Sequence, residues 1–154
     1  MAVEHSTLTT TDLHEPKGVA AASADQIYIA NGSASGVWTD ADNSIYLSVH
    51  EADVSTAGSV WIPAPCTGTI SKIHTIIDGA IATADAGITF EINGTLITNG
   101  AITIANSGSA AGDVDSSTPS GANTLAIGNK LECITDGAST NTIKVTYMFT
   151  VTPT

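Results

Sequence analysis

The chain contains no arginine. Its basic side chains are four lysines (Lys17, Lys72, Lys130 and Lys144) against fifteen aspartates and glutamates, which sets the formal charge at −11. Phosphate contacts require clustered Lys and Arg, so this composition argues against nucleic-acid binding. It argues equally against docking on an anionic membrane. Cysteine is almost missing: Cys66 and Cys133 allow one disulfide but no disulfide framework. Cys133 alternates with Leu131 in an apolar run, which favours a buried thiol over a bridge. No stretch approaches the ~18 apolar residues of a membrane span. The first residues lack the basic start and apolar core of a secretion signal, so synthesis in a cytoplasm is expected. Aromatic residues make up 5% of the chain and charged residues 12%, leaving a low-charge surface rich in Thr, Ser and Gly.

What is present points to β structure. Thr and Ile abound, and both suit a pleated, half-buried surface better than a helix. With 154 residues the chain is long enough for one domain with an arm. A domain of that size buries roughly 70% of the surface its unfolded form exposes, so a core is attainable without staples.

Residues 1–44 and 45–154 differ in character. The first stretch is polar and shows no sustained periodicity. Within it, Pro16 pushes Glu15 into an extended conformation and Gly18 is free to take positive φ. An arm with such a bend could lie along a partner. Gln26–Ala30 reads as a short strand ending in the turn pair Asn31-Gly32, with Ser33–Gly36 continuing the loop and Val37-Trp38 covering a small apolar patch.

Beyond residue 44, Ile45–Val49 alternates with period two, and further strands are read at the apolar stretch Ser59–Ile62 and at Thr69–Ile77, Gly87–Ile92, Thr95–Ile97, Ala101–Ala105, Thr124–Ile127, Lys130–Ile134 and Thr142–Val151. Asp78-Gly79, Asn93-Gly94, Asn99-Gly100, Gly128-Asn129 and Asp136-Gly137 punctuate them. The Asn93-Gly94 pair has the composition of a type I′ hairpin, with Ile88, Phe90 and Ile92 on one side of the preceding strand. Pro63 and Pro65 should end the ladder that Ser59–Ile62 begins. Residues 80–86 read as a short helix or a loop, and 106–122 as a long Gly/Ser loop of the kind that carries function or an interface. About eight strands at 8–12-residue spacing predict an antiparallel jelly-roll-like sandwich or barrel.

Chemistry-bearing patterns are scarce. His5, His14, His50 and His74 show no metal-ligand spacing, and Cys66 has no CxxC partner. Asp40-Ala41-Asp42 with Glu51 at the twelfth position imitates a calcium loop. The sixth position is Ile45 where a glycine is needed, so a solvated acidic turn is the better reading. Asp113 and Asp115 are read likewise. No Gly-x-Ser-x-Gly elbow precedes a helix, and no phosphate-binding Gly-Lys-Ser/Thr occurs. Asn31-Gly32-Ser33 and Asn93-Gly94-Thr95 match the glycosylation sequon but read as turns. No catalytic residue, cofactor or metal is therefore expected.

Two stretches carry a family resemblance. The first is Leu13-His14-Glu15-Pro16-Lys17-Gly18-Val19-Ala20 leading to Ile27–Gly32 and Gly36-Val37-Trp38. The second runs from Pro63-Ala64-Pro65-Cys66-Thr67-Gly68-Thr69-Ile70 through Asp78–Ile81 and Ile92-Asn93-Gly94 to Ser107–Asp115. Together they make the chain resemble small virion proteins of tailed bacteriophages, of the head-fibre kind, that decorate or cement the capsid.

The resemblance implies a jelly-roll domain, self-association (often threefold) and attachment to a lattice of major capsid protein on the virion exterior. It implies capsid contacts by Leu13, His14, Glu15, Pro16, Lys17, Gly18 and Trp38, and no enzymatic activity. A charge of −11 would be repelled by packaged DNA, which suits an outward-facing protein. Two alternatives belong to other classes. A glycan-binding jelly roll of a phage fibre or head would rest on aromatics such as Trp38. A glycan hydrolase or esterase would need a cleft with paired acids or a triad.

Overall fold

The computed structural model describes residues 22–24, 26–30 and 36–154. Leu13–Gly18, the arm around them and the Asn31-Gly32 turn lie outside the described residues. Two compact units divide between Asp42 and Asn43.

In the first unit, β1 (Gln26–Ala30) pairs antiparallel with β2 (Gly36–Asp40). The apolar pair Val37-Trp38 thus belongs to a strand. Five consecutive register pairs, from Gln26↔Asp40 to Ala30↔Gly36, hold it there.

The second unit is an all-β sandwich of two five-stranded antiparallel sheets. Its strands are β3 (Ile45–Glu51), β4 (Gly58–Pro63), β5 (Gly68–Ile77), β6 (Ala86–Ile92), β7 (Thr95–Leu96), β8 (Ile102–Ile104), β9 (Val114–Ser117), β10 (Thr124–Leu125), β11 (Lys130–Thr135) and β12 (Val145–Pro153). One sheet runs β3-β12-β5, with β9 and β10 both on the far side of β5. The other runs β4-β11-β6, with β7 and β8 both on the far side of β6.

The pairings nest: β3 with β12, β4 with β11, β5 with β9 and β10, β6 with β7 and β8. A long hairpin rolled upon itself produces this order, which is the jelly-roll arrangement. The ten pieces amount to eight strands because two of them are broken. Asn99-Gly100 lies between β7 and β8, and Pro119, which cannot donate to a ladder, lies between β9 and β10.

Alternation supplies the core. Ala86, Ile88, Phe90 and Ile92 of β6 all point inward, as do Val145, Tyr147, Phe149 and Val151 of β12. Phe90 joins the two layers. Its ring meets Tyr147 edge-on at 5.7 Å and Phe149 at 5.4 Å, the geometry that the ring quadrupole favours. The Asn93-Gly94 turn has φ of 51° and 84°, the type I′ signature, and its tip is pinned to β11. The Asn93 amide donates to the Lys130 carbonyl, and the Lys130 amide donates to Asn93 Oδ1, both at 2.9 Å.

Gly137 is required for space as well as conformation. Its φ is 65°, and a Cβ there would lie 2.3 Å from the Ala57 amide nitrogen. One local expectation changes, and another is decided between its two alternatives. Residues 106–122 are not all loop, because Val114–Ser117 pairs with Ile73–Ile76 of β5. Of the helix and the loop read at residues 80–86, the structure takes the loop, with Ala82 bridging to Thr140.

Phe90→Ala is expected to cost about 3–5 kcal/mol, the range for truncating a fully buried aromatic. Urea denaturation with an unchanged m-value would read it. A loss under 1 kcal/mol would mean that Phe90 does not join the layers.

Candidate interaction surfaces

The β1–β2 hairpin presents two unlike faces. On one, Tyr28 and Trp38 are register partners, with ring centroids 5.2 Å apart and planes tilted by 58°. The Trp38 indole nitrogen is buried and has no acceptor among the described residues. Beside them, Gln26 Nε2 donates to Asp40 Oδ1 at 3.0 Å. That bond engages Asp40 in the hairpin, while Glu51 lies in the core, so the two ends of the calcium-like pattern serve separate local structures. On the other face Ile27, Ile29 and Val37 stand 50%, 49% and 60% exposed. A two-stranded hairpin is marginal in water by itself, and this one leaves its aliphatic side uncovered among the described residues. Of the seven expected contact residues, Trp38 falls on this hairpin; Leu13, His14, Glu15, Pro16, Lys17 and Gly18 are outside the described residues.

The outer faces of the two sheets differ in charge. On the β4-β11-β6 sheet, Trp61, Glu132 and Glu91 follow one another in register across three strands. Lys130 Nζ lies 3.1 Å from Glu132 Oε2 and 5.9 Å from the centre of the Trp61 ring. Hydrogen bonds from Lys130 and Trp61 hold the Glu132 carboxyl below its ordinary pKa. Glu132 and Glu91 are register partners on the outer face of this sheet.

The β3-β12-β5-β9 face carries Tyr46, Ser48, His50, Thr146, Met148, Thr150, Lys72, His74, Ile76 and Val114 in its outward positions. None of them is acidic. Ile76 pairs with Val114 and Thr146, and His74 with Met148 and Ser116, so the apolar residues adjoin across strands. A groove of 260 Å³ runs between Ile76, Val114, Met148 and His74. The sequence pattern did not reveal this face. In Thr75-Ile76-Ile77 one isoleucine must point outward, and only the strand neighbours determine which.

Inside the sandwich, Glu51 is 8% exposed and accepts a 2.8 Å hydrogen bond from the Tyr147 hydroxyl. Burial raises the Glu51 pKa, the Tyr147 bond opposes that rise, and Asp53 adds to it. Burial also raises the Cys133 thiol and the Tyr147 phenol. A thiol held protonated is a poor nucleophile. Cys66 and Cys133 are both free, so the sequence's opening for a disulfide is not taken. Among the described residues no three His, Cys, Asp or Glu side chains converge as a metal-binding group.

No family model matches the chain, and no curated protein does. Among solved structures, part of dimeric latent PorU from Porphyromonas gingivalis aligns with a TM-score of 0.40 and 15% identity. The aligned region covers 70% of this chain and 12% of that one. The sandwich described here rests on its own strand pairing.

The Glu51 environment predicts a pH effect. A carboxyl whose pKa is higher folded than unfolded stabilises the fold fully below its unfolded pKa, and that contribution is lost as pH rises through the folded value. Glu51→Gln, which can still accept from Tyr147, should therefore raise the melting temperature at neutral pH. Its advantage should shrink as pH falls towards the ordinary carboxylate range. Melting curves across that interval check this; an advantage that grows in acid would refute the assignment.

Proposed function

We propose that the protein decorates the exterior of a tailed-bacteriophage capsid, with its N-terminal unit gripping the lattice of major capsid protein. The observation that carries this reading is the β1–β2 hairpin. It is a unit apart from the sandwich, too small to be stable alone, with Ile27, Ile29 and Val37 exposed. It continues the Leu13–Gly18 stretch in which the resemblance to capsid cement proteins is densest. Docking such a hairpin on a shell would cover its aliphatic face at about 25 cal/mol per Å² of apolar surface. Many copies on one shell would add avidity. The partners in this reading are the major capsid protein and further copies of the chain; nucleic acid, membrane, cofactor and catalysis have no part in it.

The test replaces Ile29 and Val37 by aspartate in the full chain and measures occupancy on purified heads that lack the protein. Occupancy should fall at least about tenfold, equivalent to a loss of about 1.4 kcal/mol or more, while the sandwich melts as before. Unchanged occupancy would remove the hairpin from the argument.

A second reading, a glycan-binding module, is favoured by one observation. Trp61 is 53% exposed on a flat sheet, with Lys130 and Glu132 bracing its ring. It is better placed for stacking on a sugar than Trp38, whose indole nitrogen is buried. A glycan array probed with the native chain and Trp61→Ala tests it. Hits that vanish in the variant would support glycan binding, and an array without hits would dismiss it.

A further inference from the structure

We infer that the outer face of the β3-β12-β5-β9 sheet is where one copy of this chain meets another. The inference deepens the reading above by naming the surface for self-association, yet it rests on the sandwich alone.

The first argument is charge. The chain carries fifteen acidic residues and a formal charge of −11, so two copies repel. Yet the outward positions of these four strands hold no Asp or Glu. Lys72, His50 and His74 are the titratable groups there besides Tyr46, and Lys72 is engaged with Thr118 Oγ1 at 3.0 Å. The opposite sheet, by contrast, shows Glu91 and Glu132. A second copy can approach the centre of this face without setting carboxylate against carboxylate; Asp78 stands at its rim near Ile76 and Thr146, 3.7 Å from Lys144 Nζ.

The second argument is composition. Tyr46 at 60%, Val114 at 58%, Ile76 at 43% and Met148 at 36% exposure share the face. The depletion of charge with enrichment of Tyr and Met is the pattern of interface centres. Large side chains alternate with the small Ser48, Ser116 and Thr146, giving relief into which a neighbour can fit. One polar atom also lacks a match: His74 Nδ1 is buried beside the groove and has no partner among the described residues. A partner's polar group could satisfy it, which an unpaired buried nitrogen favours.

Area sets the strength. Four strands about 4.8 Å apart and about seven residues long span roughly 400 Å². Two copies would then bury about 800 Å² between them, below the standard size of a protein interface. Association through this face is therefore weak and concentration-dependent, and it strengthens where copies are held side by side.

Sedimentation velocity of the full chain from micromolar to millimolar concentration tests the inference. The weight-average mass should rise with concentration. Ile76→Glu and Ser48→Glu should each weaken association at least about tenfold. Ser48→Glu removes no core atom and so separates a lost interface from a lost fold, which unchanged melting confirms. Leu96→Glu, on the opposite sheet, should change nothing. A chain monomeric throughout, or an oligomer indifferent to both glutamates on this face, would overturn the inference. Shell occupancy keeps the two readings apart: a native chain that is monomeric throughout yet still occupies heads would sink this face and spare the docking hairpin.

Discussion

The sandwich depends on the meeting of Phe90 with Tyr147 and Phe149. These three rings come from the central strands of opposite sheets and are fully buried. Their edge-to-face contacts fix how far apart the layers stand and which sides of β6 and β12 must face inward. A strand has a side-chain period of two, so that choice also decides every outward residue. The apolar, acid-free surface on one sheet and the Trp61–Glu132–Glu91 row on the other follow from the same alternation. Surface chemistry here is the complement of core packing.

The two units solve different physical problems. The sandwich buries a continuous cluster from Leu47 to Val151 and closes most of its ladder by nested pairing. Its outer strands are protected unevenly. Pro63 ends β4, whereas β3 runs seven residues without proline or lysine. The hairpin has the opposite balance, with five register pairs and little to cover them. A two-stranded hairpin draws little stability from itself, which is why the docking role is proposed for it and the self-association face for the sandwich.

Much of this architecture was legible in the sequence because its signals are local. Gly87–Ile92, Asn93-Gly94 and Thr95–Ile97 announce a hairpin through alternation and turn chemistry, and the structure forms it with little change. Val114–Ser117 was not legible. Nothing in Val-Asp-Ser-Ser within a Gly/Ser-rich run prefers a strand, and it becomes one through its partner β5, some forty residues distant. Val37-Trp38 was hidden for the same reason, being two apolar residues that β1 draws into register. The surfaces were the least legible part. Exposure depends on what lies alongside, and Ile76 resembles a core residue until its neighbours are known. The buried acid Glu51 gave no warning either, because its partner Tyr147 is 96 residues away.

The two unpaired cysteines carry a consequence for where such a molecule can persist. Cys133 is sealed in the core and its thiol is held protonated, and Cys66 has no bond to it. No covalent cross-link joins them, so the packing of the sandwich does not hang on a bond that glutathione could cut. A fold closed by packing alone needs no oxidising compartment to hold its two sheets together.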